Sequence, residues 1–360
     1  MNRAHNFYAG PAILPIEVVE ETAKATLDFN GTGMSIMEIS HRSKEFDAVI
    51  KEAQADCLKI AGLSADEYSV VFVGGGASLQ FAMVPMNFLH SKADYINTGA
   101  WSSKAIKEAK AIGEVNVAAS SEAEKFTYIP KEYNLTPGAD YVHITTNNTI
   151  YGTEWKSLPE TNGVPLVADM SSNMFSRRYD FSKCDLIYAG AQKNIGPSGV
   201  VLVIVKKSWI EEKAKKDIPT MLRYKTHSDK ESLYNTPPVL PIFAVGKTFK
   251  WILKQGGLEA IEKLNAHKSG LIYEMIDKYP EFYRGAVTAP EDRSMMNIPF
   301  TLPSTDLEAE FVKGGVERKM FGLKGHRDVG GIRASTYNAC PLESCEALAK
   351  YMQEFYDSHK

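Results

Sequence analysis

Between residues 68 and 205, short apolar runs alternate with stretches whose apolar residues recur every three or four positions, and this alternation predicts strands joined by amphipathic helices. The predicted strands are YSVVFV (68–73), DYIN (94–97), EVNVAA (114–119), YVHITT (141–146), PLVADM (165–170), CDLIYAG (184–190) and GVVLVIV (199–205). Several have no polar face, as parallel strands buried under helices on both sides require. The expected class is α/β, with a large domain built on a mostly parallel seven-stranded sheet.

After Lys206 the periodicity changes. Helical stretches at 239–255 and 257–278 lead into short strands near 282–287 and 294–302, a helix near 305–318, and a strand at GGIRAS (330–335). PLESCEALAKYMQEFYDSH then closes the chain as an amphipathic helix. The expected division is a large domain over 17–255 and a smaller α/β C-terminal domain over 256–360, with residues 1–16 packing back onto the small domain.

Composition narrows the ligand rather than the fold. At 360 residues the chain is long enough for two domains of about 150 residues each. Lys plus Arg number 41 against 44 Asp plus Glu, a net charge of −3, so there is no basic field for nucleic acid, and a small molecule is the expected partner. Cys57, Cys184, Cys340 and Cys345 form no CxxC pair and no Cys/His cluster, which argues against a metal site or a disulfide framework and for reduced core thiols. The segment MNRAHNFYAGPAILP lacks an apolar signal core, and the longest aliphatic run, Val200 to Val205, is too short for a bilayer. The expected location is the cytoplasm, with no membrane partner.

Three features carry chemistry. YSVVFV runs into Gly74-Gly75-Gly76-Ala77-Ser78 and an apolar helical stretch, so bare N–H groups and a positive helix end meet at one point, where a phosphate fits. Such a turn serves close packing equally well, and it matches neither GxxxxGK(S/T) nor GxGxxG. PLVADMSSN ends a buried strand with Asp169 at the carboxyl edge of the sheet, where ligands of such sheets bind. The plain alternative is a loop carboxylate paired with a neighbour. AGAQKNIGPSG sets Lys193 in a tight turn between two strands too apolar for the surface. Burial lowers an ammonium pKa and frees the amine to attack a carbonyl, whereas the alternative leaves the stem along the turn and the head in water.

A phosphate cradle, a sheet-edge carboxylate and a turn lysine together match the needs of pyridoxal 5'-phosphate. The lysine takes the aldehyde, the carboxylate keeps the ring nitrogen protonated, and the glycine turn takes the phosphate. Trp101, at a helix start, is suited to stack on the ring, although alone it reads as a core tryptophan. A non-catalytic phosphate-binding protein would use the glycine turn but has no need of Lys193 and Asp169. His41, Arg42, His326, Arg327 and Arg333 lie in Gly- or Ser-flanked segments rather than on amphipathic helix faces, which suits paired recognition of carboxylate or phosphate. Any single one of them also reads as a solvated surface cation.

FYAGPA, SHRS (40–43), GGGASLQFA, NTGAWS, NNTIYGTEW, VADMSSN, AGAQKNIGPSG, YNTPP (234–238) and KGHRDVGGIRASTYNA occur in this order from about residue 5 to the C-terminus. Together they resemble the phosphoserine aminotransferase family, fold-type-I pyridoxal phosphate enzymes among the class-V aminotransferases. The resemblance implies Lys193 as the Schiff-base lysine, Asp169 as the pyridinium partner and Trp101 as the stacking ring. It implies phosphate contacts from Gly76, Ala77 and Gln192, and Thr149 on the ring-hydroxyl side. Asn235 and Thr236 are implied to reach the cofactor phosphate across a homodimer with shared active sites. Substrate contacts map to His41, Arg42, His326, Arg327 and Arg333. Some members carry Arg where this chain has Ala77, which leaves the substrate phosphate to the other basic residues. The implied reaction moves the amino group of L-glutamate to 3-phosphohydroxypyruvate, giving O-phospho-L-serine in serine biosynthesis, with 4-phosphooxy-L-threonine as a further substrate in pyridoxine synthesis. A cysteine desulfurase shares the fold but needs a nucleophilic loop cysteine, and none of the four is so placed.

Overall fold

The computed structural model describes residues 3–327 and 329–360. The chain begins with β1 (His5–Asn6), α1 (Ile16–Leu27) and α2 (Lys44–Ala61), then enters a sheet through β2 (Tyr68–Val73). The sheet is completed by β3 (Lys92–Asn97), β4 (Glu114–Ser120), β5 (Val142–Thr145), β6 (Leu166–Asp169), β7 (Leu186–Gly190) and β8 (Val201–Lys206). Between these strands lie α3 (Gly76–Phe88) and α4 (Ala100–Lys110). Every strand expected between 68 and 205 is present.

The strand order is β2-β8-β7-β6-β5-β3-β4. Neighbours from β7 to β4 pair in parallel, whereas β8 runs antiparallel to both β7 and β2. The sheet is mostly parallel, as expected, with β8 running against the other strands. The connection from Gly190 to Val201 is a turn, and a parallel return needs a crossover of a dozen or more residues.

Successive residues of β2 show why these strands lack a polar face. Val70 and Phe72 join a core with Phe46 and Ile50 of α2, while Val71 and Val73 join a second core with Phe81 of α3 and Ala105 of α4. Both faces are covered, so both sets of side chains leave water, each large aliphatic contributing about 1.5–3 kcal/mol. Ser43 starts α2 by accepting the Phe46 N–H at 3.3 Å, and the buried stripe Phe46, Ile50, Ala53, Cys57 follows at helical spacing.

The chain continues through α5 (Lys207–Lys213), α6 (Tyr224–Asp229), α7 (Val239–Lys254) and α8 (Gly257–Lys278). It ends with β9 (Arg284–Gly285), β10 (Asn297–Thr301), α9 (Thr305–Glu317), β11 (Met320–Phe321), β12 (Ile332–Ser335) and α10 (Leu342–His359). β10 lies between β12 and β9 in a small antiparallel sheet, and a third core gathers Ile272, Ile298, Phe311 and Leu348. Phe7 and Ile13 belong to that same core, and β1 pairs in parallel with β11. Cys57, Cys184, Cys340 and Cys345 are buried free thiols. Among the described residues no helix is long and apolar enough to cross a membrane.

Candidate active site

The carboxyl ends of β5, β6 and β7 stand side by side, and each continues into a loop that turns toward the starts of α3 and α4. Between them lies a cavity of about 330 Å³. Sequence separation is removed by strand order, so Thr149, Asp169 and Lys193 all line it.

Lys193 sits in the turn between β7 and β8. Its Nζ donates to the Thr149 hydroxyl at 2.6 Å and lies 5.1 Å from the Trp101 ring centroid. Burial lowers its pKa to about 8, opposed by the Asp169 charge and reinforced by that of Arg333. Gly10 allows the approach of the N-terminal segment to this side chain: its φ is +143°, and a Cβ there would stand 3.2 Å from Lys193 Cγ.

Asp169 ends β6 and is 4% exposed. Ser171 donates to its Oδ1 twice, through the backbone N–H at 2.9 Å and the hydroxyl at 2.6 Å. Burial raises the carboxyl pKa above its ordinary value, and the Ser171 bonds, the Lys193 charge and the Tyr188 hydroxyl act against that rise. Asp169 is thus a desolvated acceptor with its proton affinity enhanced, suited to a cationic N–H.

Trp101 lines the cavity, and its Nε1 is buried without a hydrogen-bond partner among the described residues. The position follows from Ser102, whose buried hydroxyl accepts the N–H groups of Thr98 at 3.0 Å and Gly99 at 2.9 Å and so fixes the start of α4. At the start of α3, Gly75 takes φ +87° and offers no side-chain cap, while a Cβ at Gly76 would meet nothing within 4 Å. Uncapped N–H groups over open space form an anion cradle at the positive helix end. A buried acceptor, an indole wall, an amine with a lowered pKa and this cradle fit a phosphorylated pyridine aldehyde.

Gly76, Ala77, Gln192, His326 and Arg333 also line the cavity. Arg333 Nη1 donates to the Thr149 carbonyl at 3.3 Å, its Nε is buried without a partner among the described residues, and burial lowers its pKa. His41, Arg42, Arg327, Asn235 and Thr236 do not line the cavity of their own chain. Arg42, Arg327, Asn235 and Thr236 are exposed, while His41 holds a buried Nε2 without a partner among the described residues. Sequence reasoning missed Ser171, Phe81 and Ile150, which line the same space. The serine two positions after Asp169 in VADMSSN was the available signal, since a short hydroxyl at that offset folds back on an Asp. Nothing in the local pattern separates Phe81 or Ile150 from ordinary core residues.

The family model for class-V aminotransferases matches residues 4–348. A phosphoserine aminotransferase of Desulfosudis oleivorans is 54% identical over 357 residues, which are 98% of each chain. The chain belongs to the phosphoserine aminotransferase family of the class-V aminotransferases. Among solved structures of that family, the one from Bacillus circulans subsp. alkalophilus is 51% identical with a TM-score of 0.96, covering 99% of both chains. The one from Trichomonas vaginalis, which has PLP bound, is 38% identical with a TM-score of 0.93 over 98% of this chain and all of that one. The match to these structures thus extends over all three sheets of the described residues.

Proposed function

We propose that this family member is a pyridoxal-phosphate-dependent phosphoserine aminotransferase, moving the amino group of L-glutamate to 3-phosphohydroxypyruvate to give O-phospho-L-serine and 2-oxoglutarate. The observation that carries the site assignment is the presence of Lys193, with its pKa drawn down to about 8, and of Asp169, with its carboxyl buried, in one cavity. When bound, the cofactor supplies an electron-withdrawing ring that stabilises negative charge at the substrate α-carbon.

The chain's own residues do the rest. Asp169 holds the proton on the ring nitrogen, and Ser171 keeps its carboxylate in place. Lys193 carries a proton from and to the α-carbon, a task that suits an amine poised near neutral pH. Thr149 orients that amine through its hydroxyl. Trp101 covers the ring, and the start of α3 at Gly76 and Ala77, with Gln192, holds the phosphate. Arg333 takes the α-carboxylate as a planar fork, while His326 and Arg327, with His41 and Arg42, take the distal phosphate or γ-carboxylate.

His41, Arg42, Asn235 and Thr236 serve the cavity of a second copy in this reading. Their segments expose Met34, Met37 and Tyr234, apolar surface that a homodimer would cover. The domain limits of the reading are 17–255 for the cofactor-binding domain and 256–360 for the small one. Its location is cytoplasmic, and 4-phosphooxy-L-threonine shares the site. The test is turnover of phosphoserine against serine: kcat/KM is expected to favour phosphoserine by at least about tenfold per lost charge-assisted contact. Equal values for the two would sink the substrate assignment.

A further inference from the structure

Lys268 on α8 is fully buried, yet the reaction outlined above makes no use of it. Its three ammonium protons meet three backbone carbonyls: Tyr337 O at 2.8 Å, Cys340 O at 3.1 Å and Asn338 O at 3.2 Å. Carbonyls of one short segment converging on a point make a negative concavity that an apolar side chain of the same length cannot satisfy.

That segment follows β12, the strand of Arg333, and it reaches both flanks of Lys193. The Tyr337 hydroxyl donates to Ala9 O at 2.7 Å, next to Gly10, which packs against the lysine stem. The Asn338 N–H donates to Asn194 Oδ1 at 2.9 Å, one residue beyond Lys193, and Asn194 Nδ2 donates in turn to Met174 O at 2.7 Å. Asn338 Nδ2 donates to Phe175 O at 2.9 Å, and Asn265, one turn before Lys268 on α8, donates to Asn338 Oδ1 at 2.8 Å. Apart from Ala9, which is half-buried, the residues that make these bonds are buried, so the bonds around Asn338 are held without competition from water.

We propose that Lys268 is a positioning residue: through the carbonyls of Tyr337, Asn338 and Cys340 it holds the segment that sets the Lys193 turn and the Arg333 strand at a fixed separation. The proposal rests on the roles given above to Lys193 and Arg333. A proton carrier and a carboxylate fork must be held to a fraction of an ångström relative to each other, and misplacement by about 1 Å costs on the order of a hundredfold in rate. The Lys268 anchor links both to one rigid helix.

The experiment uses full-length protein carrying Lys268→Met, Asn194→Ala, both together, or Lys268→Gln. In the cofactor-loaded enzyme, Lys268→Met is expected to lower kcat and raise the glutamate KM together, for a loss of about tenfold to a hundredfold in kcat/KM. The double variant is expected to lose less than the product of the two single losses, because both contacts act on the backbone of residue 338. With the cofactor removed, amide hydrogen exchange is expected to rise in peptides covering 191–196 and 332–335, and to stay unchanged in 68–73. Exchange rising only at 337–340, or multiplicative losses in the double variant, would overturn the proposal. If Lys268→Met does not fold, Lys268→Gln, whose amide keeps only two donors for the three carbonyls, should give the same two-peptide signature at smaller amplitude; its absence there also overturns it. An active Lys193→Ala enzyme would instead refute the catalytic reading and leave the exchange pattern standing.

Discussion

Thr149 is held at both ends by cations of the site: its hydroxyl accepts from Lys193 Nζ at 2.6 Å and its carbonyl accepts from Arg333 Nη1 at 3.3 Å. Thr149→Val separates the two contacts, because it removes the hydroxyl and keeps the carbonyl. A charge-assisted bond is worth about 1.5–3 kcal/mol, so kcat is expected to fall at least about tenfold while the glutamate KM moves little. Steady-state kinetics with glutamate checks this, and a raised KM with normal kcat would detach Thr149 from Lys193.

Lys193→Ala should bind the cofactor without a covalent link and show no turnover. Borohydride treatment of the parent protein should fix the cofactor on Lys193, and finding it on another lysine by peptide mapping would falsify the assignment. In the cofactor-free protein the amine pKa of about 8 leaves a large free-base fraction at pH 8, where an ordinary lysine with a pKa of 10.5 is almost wholly protonated. Reductive methylation at pH 8 should therefore reach Lys193 before exposed lysines.

Asp169→Asn separates stability from activity. The folded pKa of this carboxyl lies above its ordinary value of 3.8, so the native state binds more protons than the unfolded state, and stability falls as pH rises through the folded pKa. Near pH 7 the cofactor-free Asn variant should melt above the parent, and the gap should close below about pH 4. With cofactor, the same variant should lose α-proton exchange by orders of magnitude, since a neutral amide does not hold the ring proton. Thermal melts against pH, with and without cofactor, read both effects; a cofactor-free variant less stable at pH 7 than the parent contradicts the first.

Arg333→Ala should damage the glutamate and phosphoserine half-reactions alike, because both substrates carry an α-carboxylate. Arg327→Ala should damage phosphoserine more, with a loss of about tenfold to a hundredfold in kcat/KM. Equal losses in the Arg327 variant would end the division between the two arginines.

Sharing of sites between subunits is open to complementation. Mixing inactive Lys193→Ala protein with protein carrying Asn235→Ala and Thr236→Ala should restore about a quarter of full activity if subunits exchange at random and each hybrid dimer keeps one intact site. Exchange shown by mass spectrometry without any recovery would place each site within a single chain.

The sequence by itself determined the strands, since a run that is apolar at successive positions buries both faces wherever it lies, and YSVVFV does this between two separate cores. It also determined that Lys193 stands in a short turn between two buried strands, because spacing along the chain is a local property. The shortness of that turn already contained the antiparallel sense of β8, which apolar patterning cannot express. Tertiary structure decided which cations meet. His326 and Arg333 line the cavity, whereas Arg327, adjacent to His326 in sequence, is exposed and does not. It also decided that Lys268, on the buried stripe of α8 with Ile261, Ile272 and Met275, is enclosed by three carbonyls that satisfy its ammonium there. Such convergence depends on where the chain returns after β12, and strand order and return paths are set by packing between distant segments, which no local window contains.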